Sequence, residues 1–165
     1  MQDESGQPRS FDLETFLPYL LNQAAEATSR DFQAIYRAEH DLTRTQWRII
    51  ANLGKFGAMT AATICRISHM EKTKVSRAVA ALEARGLLAR RTDDVDRRSE
   101  NLTLTDRGHE TFATLGQRAI RFDQDLRRIL GPRNAEKLEA MLQDLIRRCQ
   151  ADRYDERPPG TGGGV

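Results

Sequence analysis

The run Lys72-Thr-Lys-Val-Ser-Arg77 places a guanidinium, two ammonium groups and two hydroxyls within six residues. Arg77 offers a rigid fork of donors that suits a phosphate or the edge of a base. Lys72, Thr73, Lys74 and Ser76 add donors around it, and none of the five is a nucleophile or general base with a partner nearby in sequence. This is the chemistry of recognition and not of bond breaking. A second basic pair, Arg97 and Arg98, follows within the charged run Thr92-Asp-Asp-Val-Asp-Arg-Arg-Ser99.

The elements that would position these groups are legible around them. Across Glu71 to Arg85 the apolar residues Val75, Ala78, Val79 and Leu82 recur at i, i+3, i+4 and i+7, which predicts a helix with one buried stripe. The opposite face then holds Thr73, Arg77, Ala80, Ala81 and Ala84, flanked by Lys74 and Ser76. Three alanines around one arginine make a low surface that a nucleic-acid groove could approach. A helix buried on two sides would show the same periodicity, so that alternative stays open here. Before it, Thr60 to Ile67 reads as a short helix with Thr60 as N-cap, joined by a tight Ser68-His69-Met70 link into a helix-turn-helix. After it, Gly86 stops the helix, and Leu88 to Arg91 with Glu100 to Thr105 read as two strands of a hairpin. Its charged tip would present Arg97 to a minor groove; a solvated turn with Asp93, Asp94 and Asp96 neutralising the arginines is the alternative.

In these pieces the chain resembles the MarR family of bacterial winged-helix transcription factors. The resemblance is carried by Leu42-Thr-x-x-Gln-Trp47, Met70-Glu-Lys-Thr-Lys-Val-Ser-Arg77, Leu82-Glu-Ala-Arg-Gly-Leu-Leu88, Asp96-Arg-Arg98 and Leu102-Thr-Leu-Thr-Asp-Arg-Gly108. It extends more loosely from about Phe11 to Arg148. It implies a mainly α fold with a small β-hairpin wing, and a homodimer that binds a palindromic operator on double-stranded DNA as a repressor released by a small aromatic or phenolic ligand. On that resemblance Thr60, Lys72, Thr73, Lys74, Ser76, Arg77, Arg97 and Arg98 are expected to contact DNA, and Asp96 to hold the wing through a salt bridge. Tyr36, Trp47, Arg48 and Phe112 are candidates for a ligand pocket, though core or surface roles explain them equally. His69 stands where the family often has glycine, Lys74 where a small polar residue is commoner, and Asn101 where an apolar strand residue is expected.

The rest of the sequence bounds these readings. A length of 165 residues suits one domain or a compact pair. Net charge is only +2, yet from Arg66 to Arg107 ten basic residues face seven acidic ones, so the modest basic excess lies within the helix-turn-helix and hairpin. The three histidines are scattered, and no metal-ligand spacing, phosphate loop or nucleophile elbow occurs, so neither an enzyme nor a metal or cofactor protein is expected. The two cysteines, Cys65 and Cys149, form no redox motif. There is no run of about 18 apolar residues and no secretory h-region, which points to the cytoplasm.

A first helix from about Pro18 to Glu39, a second opening on the capping box Thr43-x-x-Gln46 and broken by Gly54 and Gly57, a long helix from Thr105 to Gly131-Pro132 and a terminal helix from Pro132 to about Gln150 complete the reading. The expected organisation is a flexible arm (1–14), a dimerisation helix (15–40), a winged helix-turn-helix domain (42–105), further dimerisation helices (106–150) and a disordered tail (151–165). The long helix spaces Phe112, Leu115, Ala119, Phe122, Leu126 and Ile129 alternately three and four apart, a register that suits another helix along its whole length. A winged helix used for protein contact without DNA is the competing functional class, and the salt dependence of duplex binding separates the two.

Overall fold

The structure, a computed structural model, describes residues 11–92 and 100–155. Their order is α1 (Leu17–His40), α2 (Arg44–Phe56), β1 (Met59–Thr60), α3 (Ala61–Ser68), α4 (Lys72–Ala84), β2 (Leu88–Thr92), β3 (Glu100–Leu104), α5 (Asp106–Leu130) and α6 (Pro132–Asp155). The fold is mainly α with a small antiparallel sheet, as the sequence implies. Within α5 the chain divides into two compact units, Met1–Ala119 and Ile120–Val165.

In the first unit α4 packs against α2, α3 and β2. Its inward residues Val75, Ala78, Val79 and Leu82 are all buried, joined in one core by Ile49, Ile50 and Leu53 of α2, Ile64 of α3, and Leu88, Leu102 and Leu104 of the sheet. The capping box of α2 forms as read: Thr43 Oγ1 accepts from Gln46 N at 3.3 Å, and Gln46 Oε1 accepts from Thr43 N at 2.8 Å. His69 does adopt the left-handed backbone, φ 50°, that closes the turn between α3 and α4, and Gly86 does so after α4 at φ 65°. A β-carbon is strained there, so His69 costs the turn something that glycine would not.

Three local expectations are corrected. The hairpin is a three-stranded sheet of order β1-β3-β2, because Met59 and Thr60 pair with Leu102 and Asn101. Asn101 therefore lies on the central strand, opposite both Thr60 and Arg91, and pairing is intact at that point. Gly54 does not break α2; a β-carbon at 54 would fall 2.5 Å from the Phe112 ring, so glycine makes room for that ring. Finally, α6 runs on to Asp155, past the expected end at Gln150. At the other end, Asp12 accepts from Glu14 N at 3.0 Å and from Thr15 Oγ1 at 3.1 Å, a local turn ahead of α1.

In the second unit the end of α5 lies against α6 through Leu126, Leu130, Leu138 and Leu142. Arg127 links the two helices by donating to Asp123 at 2.7 Å and to Glu139 at 2.9 Å. Large apolar side chains remain exposed in each unit: Phe16, Leu17 and Leu20 beside the start of α1 in the first, and Ile129 at 82 %, Met141 at 69 % and Ile146 in the second.

Candidate nucleic-acid interface

The geometry of α4 decides the question its periodicity left open. With its inner stripe fully enclosed, Thr73, Ser76, Arg77, Ala80 and Ala84 are exposed and Ala81 is half-buried. No described element covers that face. Alanines at 80 and 84 leave it flat, and Arg77 stands among them without an ion pair among the described residues. Lys72 and Lys74 are exposed at the first turn, where helix amides and the dipole already favour an anion. Lys74 lies 3.6 Å from Glu71, an exposed pair weak enough to yield to a phosphate.

Beside this face, α3, α4 and β2 enclose a concavity of about 540 Å³ lined by Ala61, Ala62, Cys65, Arg66, Lys72, Ser76, Val79 and Arg90. Most of the lining side chains are small. Arg66 and Lys72 are cations on its wall with no ion pair among the described residues. Arg90 is committed: it donates to Glu83 of α4 at 3.0 Å and to Glu100 of β3 at 2.8 Å, which hold its guanidinium charged and raise its pKa. It ties the base of the hairpin to α4.

Thr60 sits at the start of α3, but its hydroxyl already caps the helix, accepting from Thr63 N at 3.1 Å. What it presents outward is the amide end of a short helix. Asp96, Arg97 and Arg98 lie outside the described residues. The strands that lead to them, β2 and β3, pair in register from Leu88 with Leu104 to Thr92 with Glu100.

Of the residues expected around a ligand, Tyr36 and Trp47 are brought together with their rings stacked 6.2 Å apart, and Phe32 meets both edge-on at 5.6 and 5.7 Å. Phe112 packs instead on Gly54, and Arg48 is exposed. Burial raises the pKa of the Tyr36 phenol against the opposing pull of Arg44 and Arg48. These rings fill one another's space as a core does.

Sequence reasoning passed over three arginines that brace the site. Arg85, the C-cap of α4, donates to the carbonyl oxygens of His40 at 2.6 Å and Asp41 at 3.0 Å. Arg107 of α5 donates to the Arg85 carbonyl at 3.0 Å. Arg90 is the third. Periodicity is blind to such residues, because a surface arginine bonded to backbone carbonyls looks like any solvated one.

A helix-turn-helix, a sheet-borne hairpin and an uncovered, arginine-bearing second helix define a winged helix-turn-helix protein. A MarR family model matches residues 40–99, the stretch that holds the helix-turn-helix and the first part of the hairpin. The crystal structure of the MarR family transcriptional regulator SPO1453 from Silicibacter pomeroyi DSS-3 is 28% identical, with a TM-score of 0.76 over 85% of this chain and 99% of that one. The transcriptional repressor CouR, solved bound to a 23-mer DNA duplex, is also 28% identical, with a TM-score of 0.73 over 85% of this chain and 99% of its own. The HTH-type transcriptional regulator FarR of Neisseria gonorrhoeae is 25% identical over 127 residues, which is 77% of this chain and 86% of FarR. Over residues 40–99 the chain matches the MarR family, and the relatives it resembles over most of its length are transcriptional regulators. These relatives are regulators and not enzymes. Among the described residues there is no cluster of ligating side chains that could hold a metal, and no helix long and apolar enough to cross a membrane.

Proposed function

We propose that this chain is a sequence-specific DNA-binding transcription regulator, acting as a homodimeric repressor on a palindromic operator and released by a small, aromatic or phenolic ligand. One observation carries the reading. The inward stripe of α4 is sealed while its outward face is bare of every bulky side chain except Arg77. Such a face suits the major groove, where the helix axis must come close and one guanidinium can take both acceptors of a guanine. Lys72, Thr73, Lys74 and Ser76 fix register on phosphates or base edges, the amide end of α3 at Thr60 takes another phosphate, and Arg97 enters the minor groove with Asp96 and Arg98 shaping the wing. That CouR is solved on a duplex supports the assignment.

Homodimerisation is supported by the large apolar side chains left bare on α1, α5 and α6, which a second subunit would cover. In this reading residues 15–40 and 106–150 supply the dimer contacts and 42–105 the DNA contacts. Effector release would act at Tyr36, Trp47, Arg48 and Phe112, where a planar ligand must part rings that now stack on one another.

The test is footprinting on the DNA flanking its own gene, followed by a salt series on the protected duplex. Affinity should fall linearly in a log–log plot against salt as phosphate contacts are lost. Arg77→Ala should cost about 1–3 kcal/mol of binding and relax the sequence preference at one position per half-site. A salt-independent association, or an Arg77→Ala protein with unchanged affinity and preference, would refute the reading.

A further inference from the structure

The backbone around α4 shows one device used twice. Each helix end leaves its last carbonyl groups without partners inside the helix, at the negative end of the dipole. At the end of α1 these carbonyls, on His40 and Asp41, are taken by the two terminal nitrogens of Arg85, which is itself the cap residue of α4. At the end of α4 the carbonyl of Arg85 is taken in turn by Arg107, in the first turn of α5. Asp41 holds the left-handed conformation, φ 48°, that ends α1 there. So α5 caps α4 and α4 caps α1, through arginines standing immediately at the joints.

This matters because, apart from the exposed Arg90–Glu83 pair, little else fixes α4 along its own axis. Its inner stripe is apolar and sets depth and roll, contacts without direction. Its first turn is held loosely: Glu71 caps it with no side-chain hydrogen bond, and the neighbouring Glu71–Lys74 pair is exposed. A planar guanidinium gripping two successive carbonyls is directional and short, and Arg85 is half-buried, so water competes weakly for it.

We propose that Arg85 is a positioning residue for recognition, the joint through which α1 sets where Arg77 and Thr73 stand along a groove. The proposal deepens the DNA-binding reading above, but its first measurement is independent of DNA. Hydrogen exchange of the full-length protein should show the amides of residues 80–86 exchanging about tenfold faster in Arg85→Met, with the amides of residues 49–53 in α2 unchanged. Arg85→Lys, which keeps the charge and loses the fork, should recover only part of the protection. Arg107→Met should loosen the same stretch by less, since it frees one bond. On duplex DNA, Arg85→Met should lower the ratio of operator to non-operator affinity by about tenfold while leaving non-operator binding, which needs only phosphate contacts, nearly as it was. Unchanged exchange at 80–86, faster exchange spread equally over α2, or full recovery by lysine would overturn the proposal, whether or not the duplex is bound. If exchange behaves as expected and wild type shows no operator preference, the DNA reading fails and the joint stands.

Discussion

Gly108 offers a sharp test of how the first unit is closed. It lies in the first turn of α5, where alanine is ordinarily better than glycine by up to about 1 kcal/mol. Here the backbone of Leu87 runs directly over it: a β-carbon at 108 would stand 2.0 Å from the Leu87 carbonyl oxygen, 3.1 Å from the carbon it belongs to and 3.2 Å from Leu104 Cβ. Ordinary contact begins near 3.4 Å, so the two segments must separate by more than 1 Å. Three hydrogen bonds span or brace this joint: Thr105 N to Leu87 O at 3.2 Å, Thr105 Oγ1 to Gly86 O at 2.7 Å and Gly108 N to Thr105 Oγ1 at 3.1 Å. Losing them at about 1 kcal/mol each outweighs the gain in helix propensity, so Gly108→Ala should be destabilised by about 2–3 kcal/mol. Gly116 lies in the same helix with nothing within 4 Å of its would-be β-carbon, and Gly116→Ala should be stabilised by up to about 1 kcal/mol. Urea unfolding at one protein concentration, with m held constant between variants, reads both. A Gly108→Ala protein as stable as wild type would show that the close approach of Leu87 is not a real constraint, and the account of this joint would be wrong.

Two further outcomes follow from the site. Arg90→Met removes a guanidinium shared by Glu83 and Glu100; the groups are too exposed to stabilise much, so unfolding should change by less than about 1 kcal/mol, while duplex affinity drops by about threefold to tenfold as the hairpin base loosens from α4. Equal affinity for the variant in a gel-shift titration would remove Arg90 from the bracing. For Tyr36, burial favours the neutral phenol, so its pKa is higher folded than unfolded. The stability this gives is complete below the ordinary tyrosine pKa and is lost as pH rises through the folded value. Measured from about pH 8 to about pH 11, the urea midpoint of wild type should therefore fall more steeply than that of Tyr36→Phe; parallel curves would contradict the assignment.

How much of this was readable from sequence depended on whether the determinant was local. The Thr43–Gln46 box, the Val75-to-Leu82 stripe, the stop at Gly86 and the strained turn at His69 each declare themselves within a few residues, and each forms. The strand Met59–Thr60 is too short for alternation and exists only because β3 lies alongside it. Gly54 reads as a breaker until Phe112, distant in sequence, needs its space. Arg85 and Arg107 bond to carbonyls, which carry no side-chain signature at all.

The alanines of α4 mark the boundary between these cases. Their spacing is the same whether a second layer of protein or a groove lies against them, so no pattern within the helix could choose. The choice comes from the neighbours: α2, α3 and the sheet are all spent on the inward stripe, and the C-terminal end is held by Arg85 at the foot of α1. With every nearby described element on one side, the outward face stays open among the described residues. Among the described residues Arg77 is the one long cation in the middle of that face, a placement that suits an anionic partner. Under the proposed function that partner is a duplex major groove, and a steep log–log salt slope set by the number of phosphates contacted is the consequence that checks it.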